Sequence, residues 1–161
     1  MKFTFQTPTR LIFGSGRLDA LGDEKLPGQK ALLLTSRGKS AERTGALERT
    51  MKALERAGAE YVYCPMVESN PVVDNVMKAA LAAREAECDF VVALGGGSVM
   101  DCGKAVAMMA TNPGDFWDYV PQGTGGRKPI EIAPLPIVAI YTTAGTGCEV
   151  DGGGGISTPS T

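Results

Sequence analysis

FVVALGGGSVMDCGKAVAMMA, residues 90–110, decides the fold. Residues 90–94 are apolar without alternation and too few for a helix, so they read as a strand buried on both faces. Gly95, Gly96 and Gly97 end that strand, and a helix starts at Ser98. At the carboxyl end of a parallel strand this is where open α/β sheets bind ligands. Three glycines let a phosphate approach the backbone and allow positive φ in the turn, while the first helical N–H groups point at an anion. The run is neither G-x-G-x-x-G nor a Walker loop. The bland alternative is a tight turn in which Ser98 and Asp101 are only a capping pair. Against it, the helix is otherwise Val, Met, Cys, Gly and Ala, yet keeps Asp101 and Lys104 in its first two turns.

Outward from this unit the same pattern repeats. Residues 31–34 (ALLL) and 137–140 (IVAI) are further apolar strands, and residues 61–63 form another. Residues 44–57 read as a helix with Leu47, Met51 and Leu54 on one stripe, closed by Gly58. Asn70 and Pro71 read as N-cap and first-turn proline of a helix burying Val73, Val76, Met77, Ala80 and Leu81. Residues 10–13 read as a short strand, and the opening segment 3–13 as an extended flap or edge hairpin around Pro8. The Pro- and Gly-rich stretch 113–136 reads as a long surface loop whose Trp117 and Tyr119 are expected to pack down on the domain, the alternative being a partner. Apolar strands alternating with helices predict an α/β class: a doubly wound, Rossmann-like parallel sheet, one domain over residues 1–161.

Composition narrows the chemistry. The chain has 16 basic and 18 acidic residues, a net charge of −2, which argues against nucleic acid as a partner. It contains no histidine, which removes Ser-His triads and imidazole acid–base catalysis and leaves no conventional zinc site. Glycine is 21 of 161 residues, about twice the usual share. Cys64, Cys88, Cys102 and Cys148 show no C-x-x-C spacing and read as free, mostly buried thiols of a reducing compartment. The N-terminus carries no apolar signal core, and no apolar run approaches the ~18 residues of a membrane span. A cytoplasmic protein without membrane contact is expected.

A second loop, PIVAIYTTAGTGCEV at residues 136–150, also follows an apolar strand. Thr142, Thr143 and Thr146 offer hydroxyls suited to phosphate and ribose oxygens, though a hydroxyl-rich turn explains them equally well. On a strand neighbouring the glycine loop it would complete one crevice.

Together three motifs resemble the iron-containing (group III) alcohol dehydrogenases. They are GGGSxxDxxK at 95–104, the PTTAGTGSE-like segment at 141–149 and the N-P-x-x-x-x-V element from Asn70. The resemblance runs the length of the chain. It implies an N-terminal domain that binds NAD or NADP, followed by a helical domain holding iron or zinc through one aspartate and three histidines. Carried over, Gly95, Gly96, Gly97 and Ser98 form the pyrophosphate loop. Asp101 then lies near the nicotinamide end, and Thr142, Thr143 and Thr146 line phosphates and ribose. Cys148 stands where the family usually has serine, and the metal-binding histidines are absent, so the chain reads as the cofactor domain alone, without dehydrogenase activity. A glycerol dehydrogenase, a dehydroquinate synthase relative or a nucleotide-binding assembly module are the alternatives. The resemblance also implies that the N-terminal segment crosses a homodimer interface.

Cofactor choice falls on the turn after residues 31–34. NAD binders present a carboxylate to the ribose 2′-OH, whereas NADP binders supply a cation. Where NAD-preferring relatives often carry aspartate this chain has Ser36, followed by Arg37 and Lys39. With no carboxylate in that turn to repel a 2′-phosphate, NADP is expected over NAD. A solvated basic turn without a ligand is the alternative.

Overall fold

The computed structural model describes residues 9–144, 147–148 and 151–157. Four strands form one parallel sheet: β1 (Lys30–Ser36), β2 (Glu60–Val67), β3 (Phe90–Gly95) and β4 (Ile137–Tyr141), in the order β2-β1-β3-β4. The register aligns Leu33 with Tyr63 on one side and Val92 on the other, and Val92 in turn with Val138. Residues 31–35 and all of β3 are buried, as their unbroken apolar runs require of strands covered on both faces.

Side-chain alternation divides that core in two. Leu32, Leu34, Val91 and Ala93 face α3 (Val73–Glu85) and α4 (Gly97–Thr111). Ala31, Leu33, Phe90, Val92 and Leu94 face α1 (Ser40–Arg43) and α2 (Ala46–Arg56). Each fully buried Leu or Val side chain contributes roughly 1.5–3 kcal/mol relative to an exposed one. A 3-10 helix, Arg17–Asp23, docks on α2 through ion pairs of Asp19 with Arg49 and Asp23 with Arg56. The chain leaves β1 toward β2 over one face and returns toward β3 over the other. The order therefore reverses between β1 and β3, the switch point of a doubly wound sheet.

Several elements differ in detail from expectation. The helix expected over 44–57 runs as α2 from Ala46 to Arg56: Gly45, at a left-handed φ of 72°, is its N-cap and separates it from the short α1, which the sequence reading did not include. Helix α3 begins at Val73 rather than at Pro71, because residues 71–73 are held by the segment near Ser157. The Ser157 amide donates to the Pro71 carbonyl and the Val73 amide to the Ser157 carbonyl, at 2.8 and 3.1 Å. Its buried face runs through Val73, Val76, Ala79, Ala80 and Ala83, and Leu81 is 51% exposed. Residues 10–13 form no strand: Leu11 and Phe13 stand in solvent, with no partner strand beside them among the described residues. The rest of the expected hairpin, residues 3–8, lies outside the described residues.

The loop over 113–136 contains a further turn of helix, α5 (Phe116–Tyr119), closed by reciprocal capping between Asp115 and Asp118. Tyr119 is buried and donates to the Pro113 carbonyl, while Trp117 is half-buried with its indole N–H on Thr124. Buried Asn112 pins the loop by exchanging hydrogen bonds with the backbone of Ile132.

Candidate functional site

The carboxyl ends of β1, β2 and β3 meet around one cavity of about 520 Å³ at the switch point. Its walls are Ser36, Arg37, Gly38 and Ser40 after β1, Val67, Glu68 and Ser69 at the end of β2, and Gly96 to Val99 after β3. That volume is within the range of small-molecule sites, roughly 300–1,000 Å³.

The wall after β3 is made of backbone. Gly96 is the N-cap of α4, extended at φ −92°, and caps without a side chain. Its carbonyl accepts from the Val99 and Met100 amides at 3.0 and 3.1 Å. The Gly97 and Ser98 amides are left without an intrahelical acceptor, facing the anion-favouring end of the helix. Ser98 and Asp101 do not cap the helix, contrary to the bland reading of that pair. The Ser98 hydroxyl instead donates to the Ser69 carbonyl at 2.6 Å, binding the two loops together. Gly95 is required by space, since a Cβ there would lie 2.6 Å from Val99 Cγ2. At Gly96 a Cβ would stand 3.4 Å from Thr143 Oγ1, so the glycine keeps the surface between the two loops open.

The wall after β1 is polar and basic. The β1–β2 register shifts between Thr35 and Ser36, opposite Pro65, so that Ser36 aligns with Val67. The Arg37 amide then donates to the Val67 carbonyl at 2.9 Å, and the Arg37 guanidinium reaches Glu68 at 2.7 Å. Lys39 is the left-handed N-cap of α1 (φ 55°) and does not line the cavity. The turn itself holds no carboxylate, but Glu68, just after β2, brings one beside it.

Of the candidates, Ser36, Arg37, Gly96, Gly97 and Ser98 converge on the cavity. Gly95 ends β3 beside Tyr141, and its carbonyl accepts from the Thr142 amide at 2.9 Å, so the threonine loop does sit on the neighbouring strand. Thr142 and Thr143 are exposed on that flank, outside the cavity lining. Thr146 lies outside the described residues. Asp101 and Lys104 turn toward residues 151–155: Asp101 Oδ2 accepts the Gly155 amide at 2.9 Å, and Lys104 pairs with Asp151 and with the Gly153 carbonyl. Asp101 Oδ1 is buried without a hydrogen-bond partner among the described residues. Glu68, Ser69, Gly38 and Ser40 were not anticipated. The only sequence hint to them is their position just after two adjacent strands.

No three His, Cys, Asp or Glu side chains gather into a metal-ligand set among the described residues, and the sequence has no histidine. The donor set thus does not fit iron, and no chemical step is derived through it. Cys64 and Cys102 are buried, and burial pushes their thiols up to about 11 and about 12, so they act as packing groups. No helix among the described residues is long and apolar enough to cross a membrane.

Residues 8–161 match the family model described as iron-containing alcohol dehydrogenase. Among curated proteins, the chain is 40% identical to a probable NADH-dependent butanol dehydrogenase of Bacillus subtilis over 94% of its own length and 38% of the relative's. It is 35% identical to an NADPH-dependent aldehyde reductase of Escherichia coli, over 99% of the chain and 40% of that protein. The structure of sulfoacetaldehyde reductase from Bifidobacterium kashiwanohense in complex with NAD+ superposes with a TM-score of 0.80 at 34% identity, covering 93% of this chain and 38% of that one. The chain thus spans about two fifths of the length of these relatives.

Proposed function

The chain belongs to the iron-containing alcohol dehydrogenase family, and from that premise we propose that it is the nicotinamide dinucleotide-binding part of such an enzyme. The observation that carries this reading is the cavity at the β1–β3 switch point, floored by the Gly97 and Ser98 amides. Two amides at a helix N-terminus, with no Cβ on Gly96 or Gly97, suit a pyrophosphate; the helix dipole adds about 0.3–1 kcal/mol at an exposed site. Gly95 shapes the turn, and Ser98 holds it against the β2 loop. Thr142, Thr143 and Thr146 are proposed to flank the phosphates from the β4 side, and Asp101 to lie toward the nicotinamide end.

When bound, the nicotinamide accepts or donates the hydride exchanged with an alcohol or aldehyde. This chain's residues bind and orient the dinucleotide. Among the described residues there is no ligand set for the metal that would polarise the alcohol oxygen, and the sequence has no histidine, so we propose binding without turnover. Ser36 at the end of β1 and the cation of Arg37 just after it support NADP over NAD; relatives named for either cofactor occur among the similar proteins.

Calorimetric titration of the 161-residue chain with NADPH and NADH tests this reading. Saturable one-to-one binding is expected, tighter for NADPH, with no alcohol oxidation when ferrous iron is added. Binding of neither dinucleotide would overturn the site, and an iron-dependent rate would overturn binding without turnover.

A further inference from the structure

The Arg37 guanidinium that would meet a 2′-phosphate already has a partner, Glu68, at 2.7 Å across the cavity mouth. Both side chains are substantially exposed, 68% for Arg37 and 46% for Glu68, so the pair is weak, screened by salt and open to exchange. We infer that Glu68 is a specificity-determining residue of this site: it competes with the 2′-phosphate for Arg37 and thereby limits discrimination between NADPH and NADH. The inference rests on the dinucleotide-binding reading above.

The arrangement follows from the sheet. Pro65 has no N–H to give the ladder, and the register slips by one residue opposite it. That slip carries Val67 up to Ser36 and places Glu68 alongside Arg37, with the Arg37 amide fixed on the Val67 carbonyl. A 2′-phosphate arriving at Arg37 must share the guanidinium with a carboxylate and sit beside its negative charge. A ribose 2′-OH carries no charge and meets neither cost. Glu68 therefore weakens NADPH binding selectively, while Arg37 strengthens it.

The test is calorimetric titration of the full chain with NADPH and NADH for wild type, Glu68→Gln, Arg37→Gln and the double variant. Glu68→Gln is expected to tighten NADPH by about 5- to 20-fold and to change NADH by less than about twofold. Arg37→Gln is expected to remove the preference for NADPH, and in that background Glu68→Gln should no longer tighten NADPH through Arg37. Equal shifts for both dinucleotides in Glu68→Gln, or an undiminished effect without Arg37, would overturn the role of Glu68 while leaving the dinucleotide site standing. Wild type that binds neither dinucleotide would remove the site itself, and this role with it. Folding is not at stake, since both substituted side chains are exposed; unchanged thermal unfolding of each variant checks that.

Discussion

The Ser98 hydroxyl donates to the Ser69 carbonyl at 2.6 Å, which ties the β2–α3 loop to the first turn of α4 across the floor of the cavity. Thus two walls of the cavity, from segments 29 residues apart, depend on one side chain. Replacing it with Ser98→Ala should cost about 0.5–1.5 kcal/mol of stability. That corresponds to roughly 1–6 °C in Tm for a chain of this size. Dinucleotide binding should weaken as well, because the loops lose their mutual alignment. Thermal unfolding and titration together check this, and an unchanged Tm would show that the bond contributes nothing.

Gly95 and Gly96 should respond differently to the same added methyl. Gly95→Ala pushes a Cβ to 2.6 Å from Val99 Cγ2, against a buried helix, and should destabilise by about 1–3 kcal/mol. Gly96→Ala meets only Thr143 Oγ1 at 3.4 Å and starts from an ordinary backbone conformation, so the fold should be nearly unaffected. Its Cβ would nonetheless occupy surface over which the phosphates are proposed to lie. Dinucleotide affinity should therefore fall more than stability. Denaturation and titration of both variants separate the two effects.

Alkaline pH should destabilise the protein through its buried thiols. Burial raises Cys64 to about 11 and Cys102 to about 12, from an ordinary value of 9.0. The folded state therefore holds these protons more tightly than the unfolded one. Their contribution is complete below pH 9 and is lost as pH rises toward about 11 and 12. Each unit of separation corresponds to about 1.4 kcal/mol. Urea midpoints should fall between pH 9 and 11 in wild type, and less steeply in Cys102→Ala. Equal slopes would exclude Cys102 as a source.

Asp101 should protect one backbone amide of the segment that packs against α4. Its Oδ2 accepts from Gly155 at 2.9 Å, and a bond to a charged acceptor contributes about 1.5–3 kcal/mol. Asp101→Ala should speed hydrogen exchange at Gly155 by about tenfold or more, leaving the amides of β3 as slow as before. Unchanged exchange at Gly155 would show that the amide is protected by other means.

The sequence by itself determined the layered fold and the glycine loop at the heart of the site. Residues 31–34 and 90–94 are apolar at every position, and such runs find burial only in strands covered on both faces. Gly95, Gly96 and Gly97 between a buried strand and an apolar helix likewise declare a turn that brings backbone amides to the surface. Only the tertiary structure decided the rest. That α3 starts at Val73 follows from a bridge to Ser157, 84 or more residues away, which overrides the capping signal of Asn70 and Pro71. That Arg37 is paired follows from strand order and from the register slip at Pro65, which seat Glu68 beside it. Periodicity and turn chemistry act over a few residues, whereas these contacts depend on which strands become neighbours and in what register.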